Sequence, residues 1–425
     1  MKRKIYKDIC ETVYTTTLEN KMKVYLLYKP GFSEKTAFIA TKFGHFDSIR
    51  RINVNGKNMK IPYGVAHFLE HRMFSINDKD ASDLFSSLGA TSNAYTTFEK
   101  TAYYFSTQKN FYECLKILLT MMDSFTSTSK QIENEKSIII QEANMYKENP
   151  SHVLNQAILE TSYKKHPIRN EIIGTNKTIK ETTKEILQAV FNKFYDPSNL
   201  SLVVCGDIDH KELESFLNDN LLACKNTSKI KPLKIKEPED VVSEYKEIKL
   251  STITLPRMAL LYKLPVFKDK QEKDKMFICN NLILDYLFAS SGKLSEKWLQ
   301  EGIISNLFEY SVSSNIDLDY LIIYNISSNV DDVVNNIKRV FNTQNSLNIT
   351  QSEFDDLKKT HYGATIRAYE SVMGLSSYFV DDLFTSANDF FDEIDEVRKL
   401  TLQDMEKAFN NISNAKTSLV VLKGE

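Results

Sequence analysis

The pattern of apolar and polar positions predicts an α+β chain in which strands lie before and after a block of helices. Apolar runs, alternating or continuous, predict strands at "KMKVYLLYK" (21–29), "TAFIATKFG" (36–44), "TAYYFST" (101–107) and "LSLVVCGDI" (200–208). A helical period predicts helices at residues 64–75, 80–88, 109–123, 130–147, 151–164 and 180–195. The mixed order favours α+β architecture over a regular βαβ wind.

The two halves of the chain resemble each other. The stretch "NTSKIKPLKIKEPED" (226–240) is polar, contains two prolines and has no periodicity, which is typical of a linker. Each half ends with the same three features in order: a helix that begins at threonine, then an Asn/Ser turn, then a strand with the motif "SLVV". We therefore expect two copies of one α+β domain, at residues 1–225 and 246–425, joined by a linker at 226–245.

Composition excludes several classes of protein. The 425 residues carry a formal charge of −2, which gives no indication of nucleic-acid or anionic-membrane partners. The longest apolar run, "MFICNNLILDYLFASS", is interrupted by polar residues, so no membrane span is expected. The five scattered cysteines contain no CxxC pair, which indicates a reduced, cytoplasmic protein.

The stretch "YGVAHFLEHRMF" (63–74) is the main candidate for chemistry. It places His67, Glu70 and His71 at positions i, i+3 and i+4 of a predicted helix, in a chain with seven histidines. Two imidazoles four residues apart lie on one helix face and can bind a single zinc ion. Glu70 is then positioned to accept a proton from a zinc-bound water rather than to bind the metal. A histidine on an apolar helix face is more often an ordinary core residue, but this combination favours a catalytic zinc site.

A catalytic zinc site usually needs a third protein ligand. Glu142, in "SIIIQEANMY", is the candidate because it follows an apolar run in which an unpaired carboxylate would be costly to bury. Glu135 lies seven residues earlier on the same helix face, where it could support the ligands. Spacing alone leaves Glu133, Glu135 and Glu148 as competitors for the ligand position.

These motifs resemble the inverzincin, or M16, metallopeptidases, whose zinc motif is HxxEH. "HFLEH" is similar to that motif, and "GATSNAYTTFEKTAYYFST" (89–107) is similar to the family's active-site loop and edge strand. "ENEKSIIIQEANMYKENP" (133–150) resembles the helix of the third ligand, which falls on Glu142, with Glu135 as the supporting acid. The chain is most similar to short bacterial M16B subunits. The resemblance implies a zinc endopeptidase in which Asn93, Ala94 and Tyr95 bind substrate, with the peptide beside residues 101–107.

One segment departs from the family. Active members have an arginine followed by a tyrosine that bind substrate and stabilise the oxyanion, whereas the matching stretch here is "KWLQEGIISNLFEY" (297–310). Leu299 occupies the arginine position, Ser305 or Asn306 the tyrosine position, and Tyr310 lies several residues too late. The expected form is therefore a heterodimer in which a homologous partner without zinc supplies the Arg/Tyr pair. The alternatives are a homodimeric peptidase that uses Tyr310 and a non-catalytic peptide-binding or assembly subunit.

Overall fold

The computed structural model describes residues 1–76, 79–225, 230–315, 317–342, 346–384 and 390–424, so residues 226–229 of the expected linker lie outside the described residues. The chain divides into two compact units, each built around one large sheet. The first unit comprises Met1–Asn144, Asn170–Leu233 and Ile366–Phe384; the second comprises Met145–Arg169, Lys234–Thr365 and Thr385–Glu425.

The first unit is a sheet covered by helices on both faces, with elements numbered here in chain order. Its strands are β1 (Lys2–Tyr6), β2 (Glu11–Thr17), β3 (Lys23–Tyr28), β4 (Lys35–Thr41), β5 (Arg51–Val54), β6 (Lys57–Lys60), β7 (Ser75–Ile76), β8 (Lys79–Asp80), β9 (Thr91–Thr96), β10 (Thr101–Thr107) and β11 (Leu200–Gly206). Its helices are α1 (Val65–Met73), α2 (Ala81–Ser87), α3 (Phe111–Asp123), most of α4 (Ser129–Glu148), α6 (Asn176–Glu181), α7 (Lys184–Phe194), α8 (His210–Asp219) and α13 (Val372–Asp382).

The large sheet of the first unit has the strand order β1-β2-β3-β11-β4-β10-β9. The β3–β11 pair is parallel and the other pairs are antiparallel. Every residue of β11 is buried because this strand lies in the middle of the sheet with helices on both faces, which explains its continuous apolar sequence. Strand β9 lies at the edge, and β10 lies between β4 and β9.

The second unit repeats this topology with fewer strands. Its strands are β12 (Tyr245–Lys249), β13 (Arg257–Leu264), β14 (Glu309–Asn315), β15 (Leu318–Ile326) and β16 (Lys416–Lys423). Its helices are α5 (Pro150–Ser162), α9 (Lys270–Phe288), α10 (Ser295–Gln300), α11 (Val330–Val340), most of α12 (Gln351–Tyr369), α14 (Glu393–Lys399) and α15 (Leu402–Ser413).

The order β12-β16-β13-β15-β14 matches β3-β11-β4-β10-β9 strand for strand, including the parallel first pair. The expected α+β class and the duplication of one domain are therefore confirmed.

Two helices lie in the unit opposite to the one expected from their place in the sequence. Helix α5 packs on β13 and β16 of the second sheet, and α13 packs on β4 and β11 of the first. The predicted domains, residues 1–225 and 246–425, do not account for this exchange. An amphipathic pattern shows which face of a helix is buried, but it does not show which sheet that face packs against.

Most predicted helices are present within a residue or two of their expected ends. The helix expected at 180–195 is instead two helices, α6 and α7, because the Thr183 side chain accepts a hydrogen bond from the Ile186 amide and starts a new helix there. Across the described residues, no helix is both long enough and apolar enough to span a bilayer.

Candidate metal centre

The start of α1 is set by close backbone packing. Gly64 precedes the helix with φ of +93°, a left-handed conformation that side chains other than glycine rarely adopt. A Cβ atom at Gly64 would overlap the carbonyl oxygen of Ile173, and one at Gly174 would crowd the carbonyl oxygen of Tyr63. The two glycines therefore let the loop before α6 lie directly against the loop that starts α1.

The apolar residues of α1 determine which way its polar residues point. Val65, Phe68, Leu69 and Met73 are buried in the core of the first unit. His67, Glu70 and His71 are partly buried and lie together on the side of the helix that faces α4 and the end of β9. Local periodicity thus places all three side chains as the sequence predicts.

Helix α4 brings Glu142 to the two histidines. One Glu142 carboxylate oxygen lies 3.7 Å from His67 Nε2, and the other lies 3.4 Å from His71 Nε2. Within the described residues, His67, His71 and Glu142 form a group whose potential ligand atoms all lie within 4.8 Å of one another. The Glu142 side chain is 28% exposed, so it is not the buried acid that its apolar flank predicted; Glu135 is more buried.

Glu135 connects the histidines to a cation. His71 Nδ1 lies 3.0 Å from one oxygen of Glu135, and the Arg72 guanidinium donates to the other oxygen at 2.7 Å. Arg72 also donates to Ser127 Oγ at 3.1 Å, just before α4 begins. Glu135 therefore orients the His71 ring so that its Nε2 atom points towards Glu142, which is the supporting position expected from the sequence.

The two imidazoles have different proton affinities. Burial, together with the neighbouring His71, lowers the pKa of His67 to about 4, against the opposing effects of Glu142 and Glu135. Burial would also lower the pKa of His71, but its hydrogen bonds to Glu135 and Glu142 outweigh burial and raise that pKa to about 9. His67 is thus neutral and able to bind a metal as it stands, whereas His71 would release its proton on binding one.

Glu70 lies beside this group without belonging to it. The Thr96 hydroxyl, at the end of β9, donates a hydrogen bond to the Glu70 carboxylate. Burial raises the pKa of Glu70, and the Thr96 hydrogen bond and His71 act in the opposite direction. A carboxylate with a raised pKa, next to a metal site but outside its ligand set, is suited to accept a proton.

The ligand set fits a zinc ion. Bonds of about 2.0–2.1 Å to a tetrahedral zinc place neighbouring ligand atoms about 3.3 Å apart, close to the histidine–carboxylate distances here. Two imidazoles and one carboxylate are typical of catalytic zinc sites, which keep a fourth position open. The carboxylates around the site also outnumber the Arg72 guanidinium, which gives the net negative charge that a divalent cation requires. These carboxylates are Glu70, Glu135 and Glu142.

The expected substrate-binding residues lie on β9, and here one prediction is wrong. Residues 101–107 form β10, an interior strand hydrogen-bonded on both sides, so no peptide can be added beside them. The edge strand is β9, which contains Asn93, Ala94 and Tyr95. Ala94 pairs with Tyr103 and faces the core, whereas the Tyr95 hydroxyl donates to Asp381 on the opposite face of the sheet at 3.3 Å.

The segment that lacks the Arg/Tyr pair lies in the second unit. Leu299 is exposed, and the Ser305 hydroxyl donates to Asn325 at 2.9 Å. Tyr310, at the start of the edge strand β14, donates to the Asp285 carboxylate on α9 at 2.9 Å and packs beside Phe288. The structure therefore commits the Tyr310 hydroxyl to a contact inside its own unit.

Sequence reasoning missed two residues of the metal centre. Arg72 and Thr96 hold Glu135 and Glu70 in place, yet neither belongs to the HxxEH pattern. The position of Arg72 directly after His71 was a weak signal for a cation beside the second histidine. Thr96 lies in the segment that resembles the family's active-site loop, but no sequence signal indicated its contact with Glu70, which depends on how β9 pairs with β10.

Comparison with known proteins agrees with this geometry. Residues 58–176 match the family described as Insulinase (Peptidase family M16), and residues 181–360 match the family described as Peptidase M16 inactive domain. The chain is 32% identical over 405 residues to the uncharacterized zinc protease YmfH of Bacillus subtilis (strain 168), with 94% of each chain covered.

Two further relatives extend the comparison. Over 207 residues the chain is 28% identical to the mitochondrial-processing peptidase subunit beta of Saccharomyces cerevisiae, covering 48% of this chain and 43% of that one. The crystal structure of an M16-like peptidase from Alicyclobacillus acidocaldarius matches with a TM-score of 0.90 and 25% identity, over 98% and 99% of the two chains. The chain therefore belongs to peptidase family M16 and is a zinc protease of that family.

Proposed function

We propose that this chain is the zinc-binding, catalytic subunit of a two-chain M16B endopeptidase that cleaves peptides or unfolded segments in the cytoplasm. One observation carries the proposal: the His67–His71–Glu142 group is complete and Glu70 lies beside it, while Leu299 and Asn306 occupy the positions of the substrate-binding pair. Five unpaired cysteines support a reducing compartment.

In this proposal, the metal-binding residues have distinct roles. His67, His71 and Glu142 would hold zinc, and Glu135 would fix the orientation of His71 through its Nδ1 atom. Bound zinc would supply Lewis-acid chemistry, polarising a carbonyl and increasing the acidity of a water molecule. Arg72 keeps Glu135 ionised, because its hydrogen bond and that of His71 lower the pKa of Glu135 despite the burial of this carboxylate.

Glu70 is the proposed general base. Its carboxylate takes a proton from the attacking water and returns it to the amine of the leaving product, so the same group acts as base and then as acid. The hydrogen bond from Thr96 holds the carboxylate in one orientation, and burial keeps its proton affinity above that of a free glutamate. Both effects favour proton transfer to and from Glu70.

The edge strand β9 is the proposed binding strand for the substrate. Its inner edge pairs with β10, and no strand among the described residues pairs with its outer edge. An extended peptide can add to such an edge through main-chain hydrogen bonds, which do not depend on sequence. Because Thr96 of this strand contacts Glu70, a peptide along β9 would pass close to the metal centre.

The partner is proposed because Leu299, and Ser305 or Asn306, stand where the family's Arg/Tyr pair would share the charge that develops on the substrate carbonyl. Removing one such donor typically costs about 10²–10³ in kcat. Tyr310 is a poor substitute, since its hydroxyl already donates to Asp285. A name such as mitochondrial-processing peptidase subunit beta denotes a protein with more than one kind of subunit, which supports a paired arrangement here.

The test compares this chain alone with the chain mixed with a homologous M16 protein that lacks HxxEH but has the Arg/Tyr pair. We expect each chain alone to hydrolyse an unstructured fluorogenic peptide poorly, and the mixture to be at least about 10²-fold faster. Changing the partner's arginine to alanine should remove most of that gain. Equal turnover by this chain alone would contradict the two-chain form and make Tyr310→Phe the next variant to measure.

A further inference from the structure

In the last turn of α13, Asp381 contacts the β9–β10 hairpin. Asp381 lies 2.7 Å from the Lys100 ammonium and accepts a hydrogen bond from the Tyr95 hydroxyl at 3.3 Å. The Lys100 ammonium also donates to the Asp381 main-chain oxygen at 3.1 Å. Tyr95 belongs to β9, and Lys100 ends the turn that joins β9 to β10.

Because Lys100 is buried, its contact with Asp381 is important for the stability of the hairpin. The Lys100 side chain is only 8% exposed, whereas that of Asp381 is 59% exposed. A buried ammonium needs a paired anion or hydrogen-bond acceptors, and Asp381 provides both. Burial, with the charge of Asp381 adding to it, raises the pKa of Tyr95, so the phenol stays protonated and remains a donor.

Helix α13 is fixed independently of this contact. The Ser376 hydroxyl lies 2.6 Å from the Thr36 hydroxyl on β4, and both are buried. Phe379 packs against Tyr25 of β3, with ring centroids 5.2 Å apart. The helix is therefore anchored over the centre of the sheet, and Asp381 extends from this anchor to the sheet edge.

We propose that Asp381 is a positioning residue that holds the outer strand β9 in register for peptide addition. An edge strand has hydrogen bonds to a neighbouring strand on one side only, so it opens locally more easily than an interior strand. Asp381 opposes that opening at two points, Tyr95 in the strand and Lys100 at its turn. The inference rests on the proposed function in one respect, namely that β9 receives the substrate.

The first test measures hydrogen exchange of the main-chain amides of residues 91–96 in the full-length protein. In Asp381→Asn, we expect these amides to exchange about tenfold faster, while β3, β11 and the zinc content remain unchanged. Lys100→Met should act in the same direction, because it removes the other half of the ion pair. Tyr378→Phe, at an exposed residue one turn earlier on α13, is the matched control and should exchange like the wild type.

The second test uses peptide length with the active form of the enzyme. For a peptide long enough to cover β9, Asp381→Asn should raise KM about tenfold with little change in kcat. For a peptide too short to reach along the strand, KM should stay at the wild-type value. A merely structural role would affect both peptides alike.

The outcomes separate this inference from the proposed function. Unchanged hydrogen exchange at residues 91–96 in both Asp381→Asn and Lys100→Met would show that Asp381 does not hold β9, whatever the activity of the protein. Faster exchange with an equal effect on long and short peptides would overturn the positioning role. A wild-type protein that cleaves no peptide, with or without a partner, would refute the proposed function, and the exchange measurement would still decide whether Asp381 holds the strand.

Discussion

The two ring nitrogens of His71 face different carboxylates. Nδ1 lies against Glu135 and Nε2 lies against Glu142, so one glutamate orients the ring and the other shares the metal position. His67 has no such support: its Nδ1 atom is buried without a hydrogen-bond partner among the described residues. The orientation of the site therefore depends more on His71 than on His67.

Glu142→Ala tests the metal position directly. Because this change removes one of the three proposed ligands, we expect the purified protein to lose zinc, as measured by elemental analysis. Glu133→Ala is the matched control, since Glu133 lies on the same helix and its carboxylate is exposed and paired with Lys136. Full zinc occupancy in Glu142→Ala would show that another acid of α4 provides the ligand.

Glu70→Gln tests the base. The amide preserves the size of the side chain and can still accept the hydrogen bond from Thr96, but it cannot take a proton. We expect turnover of a peptide to fall by about 10²–10⁴, with zinc content and peptide binding retained. Near-normal turnover would mean that a different group activates the water.

The sequence was sufficient to predict His67, Glu70 and His71, because their relation is local and follows from the helical period. Glu142 was predicted by resemblance to the family and remained one of several acids on spacing alone. The contacts of Thr96 and Asp381 could not be predicted, since each residue acts from an element distant in sequence from its partner. Long-range pairing of strands and helices determines those contacts, and a local pattern contains no information about them.

Among the elements, α1 depends most on an exact backbone conformation at its start. Gly64 and Gly31 both have φ in the left-handed region, but a Cβ atom would overlap Ile173 only at Gly64, and at Gly31 it would enter open space. We expect Gly31→Ala to lower the free energy of unfolding by about 1 kcal/mol, from the conformational cost alone. Gly64→Ala should lower it by about 3 kcal/mol and weaken zinc binding as well.

Chemical denaturation of the two glycine variants, together with a zinc titration, measures this difference. Equal stability of Gly64→Ala and Gly31→Ala would show that the loop at Ile173 moves away from α1 at little cost. Reduced stability with normal zinc affinity would show that the start of α1 does not determine where the histidines lie.

The apolar pattern located four strands of the first sheet, β3, β4, β10 and β11, but could not order them in the sheet. "TAYYFST" was expected at the edge, whereas β10 lies between β4 and β9. Its buried residues, including Tyr103 and Phe105, are what an interior strand requires. The polar sequence "TSNAYT" of β9 is the better signature of an edge strand, although it resembles a loop of the family.

For the whole chain, the exchange of α5 and α13 has a measurable consequence. Each unit includes a helix encoded in the other half of the sequence, so neither half alone has all of its own core. We expect a fragment of residues 1–225 to lack a cooperative unfolding transition and to bind a hydrophobic dye. Its exposed apolar surfaces would be the sheet face normally covered by α13 and the apolar face of α5, which includes Leu154 and Ile158.

The control is the full-length protein cleaved at a protease site inserted at residues 226–229, which keeps both halves together. This nicked protein should unfold cooperatively and retain zinc. A fragment of residues 1–225 that unfolds cooperatively on its own would show that the exchanged helices contribute little to either core.

The two edges of each sheet also differ in how they are protected. At one edge of each sheet lies a strand with several charges, β1 with "KRKIY" and β12 with "YKEIK". At the other edge lies β9, with no charged residue, or β14, whose only charged residue is Glu309. Charged edges discourage one sheet from joining another and so protect a protein against aggregation. At high concentration, β9 and β14 are therefore the surfaces through which copies of this chain should associate. A lysine placed on either strand should raise solubility, and on β9 it should also hinder an incoming peptide.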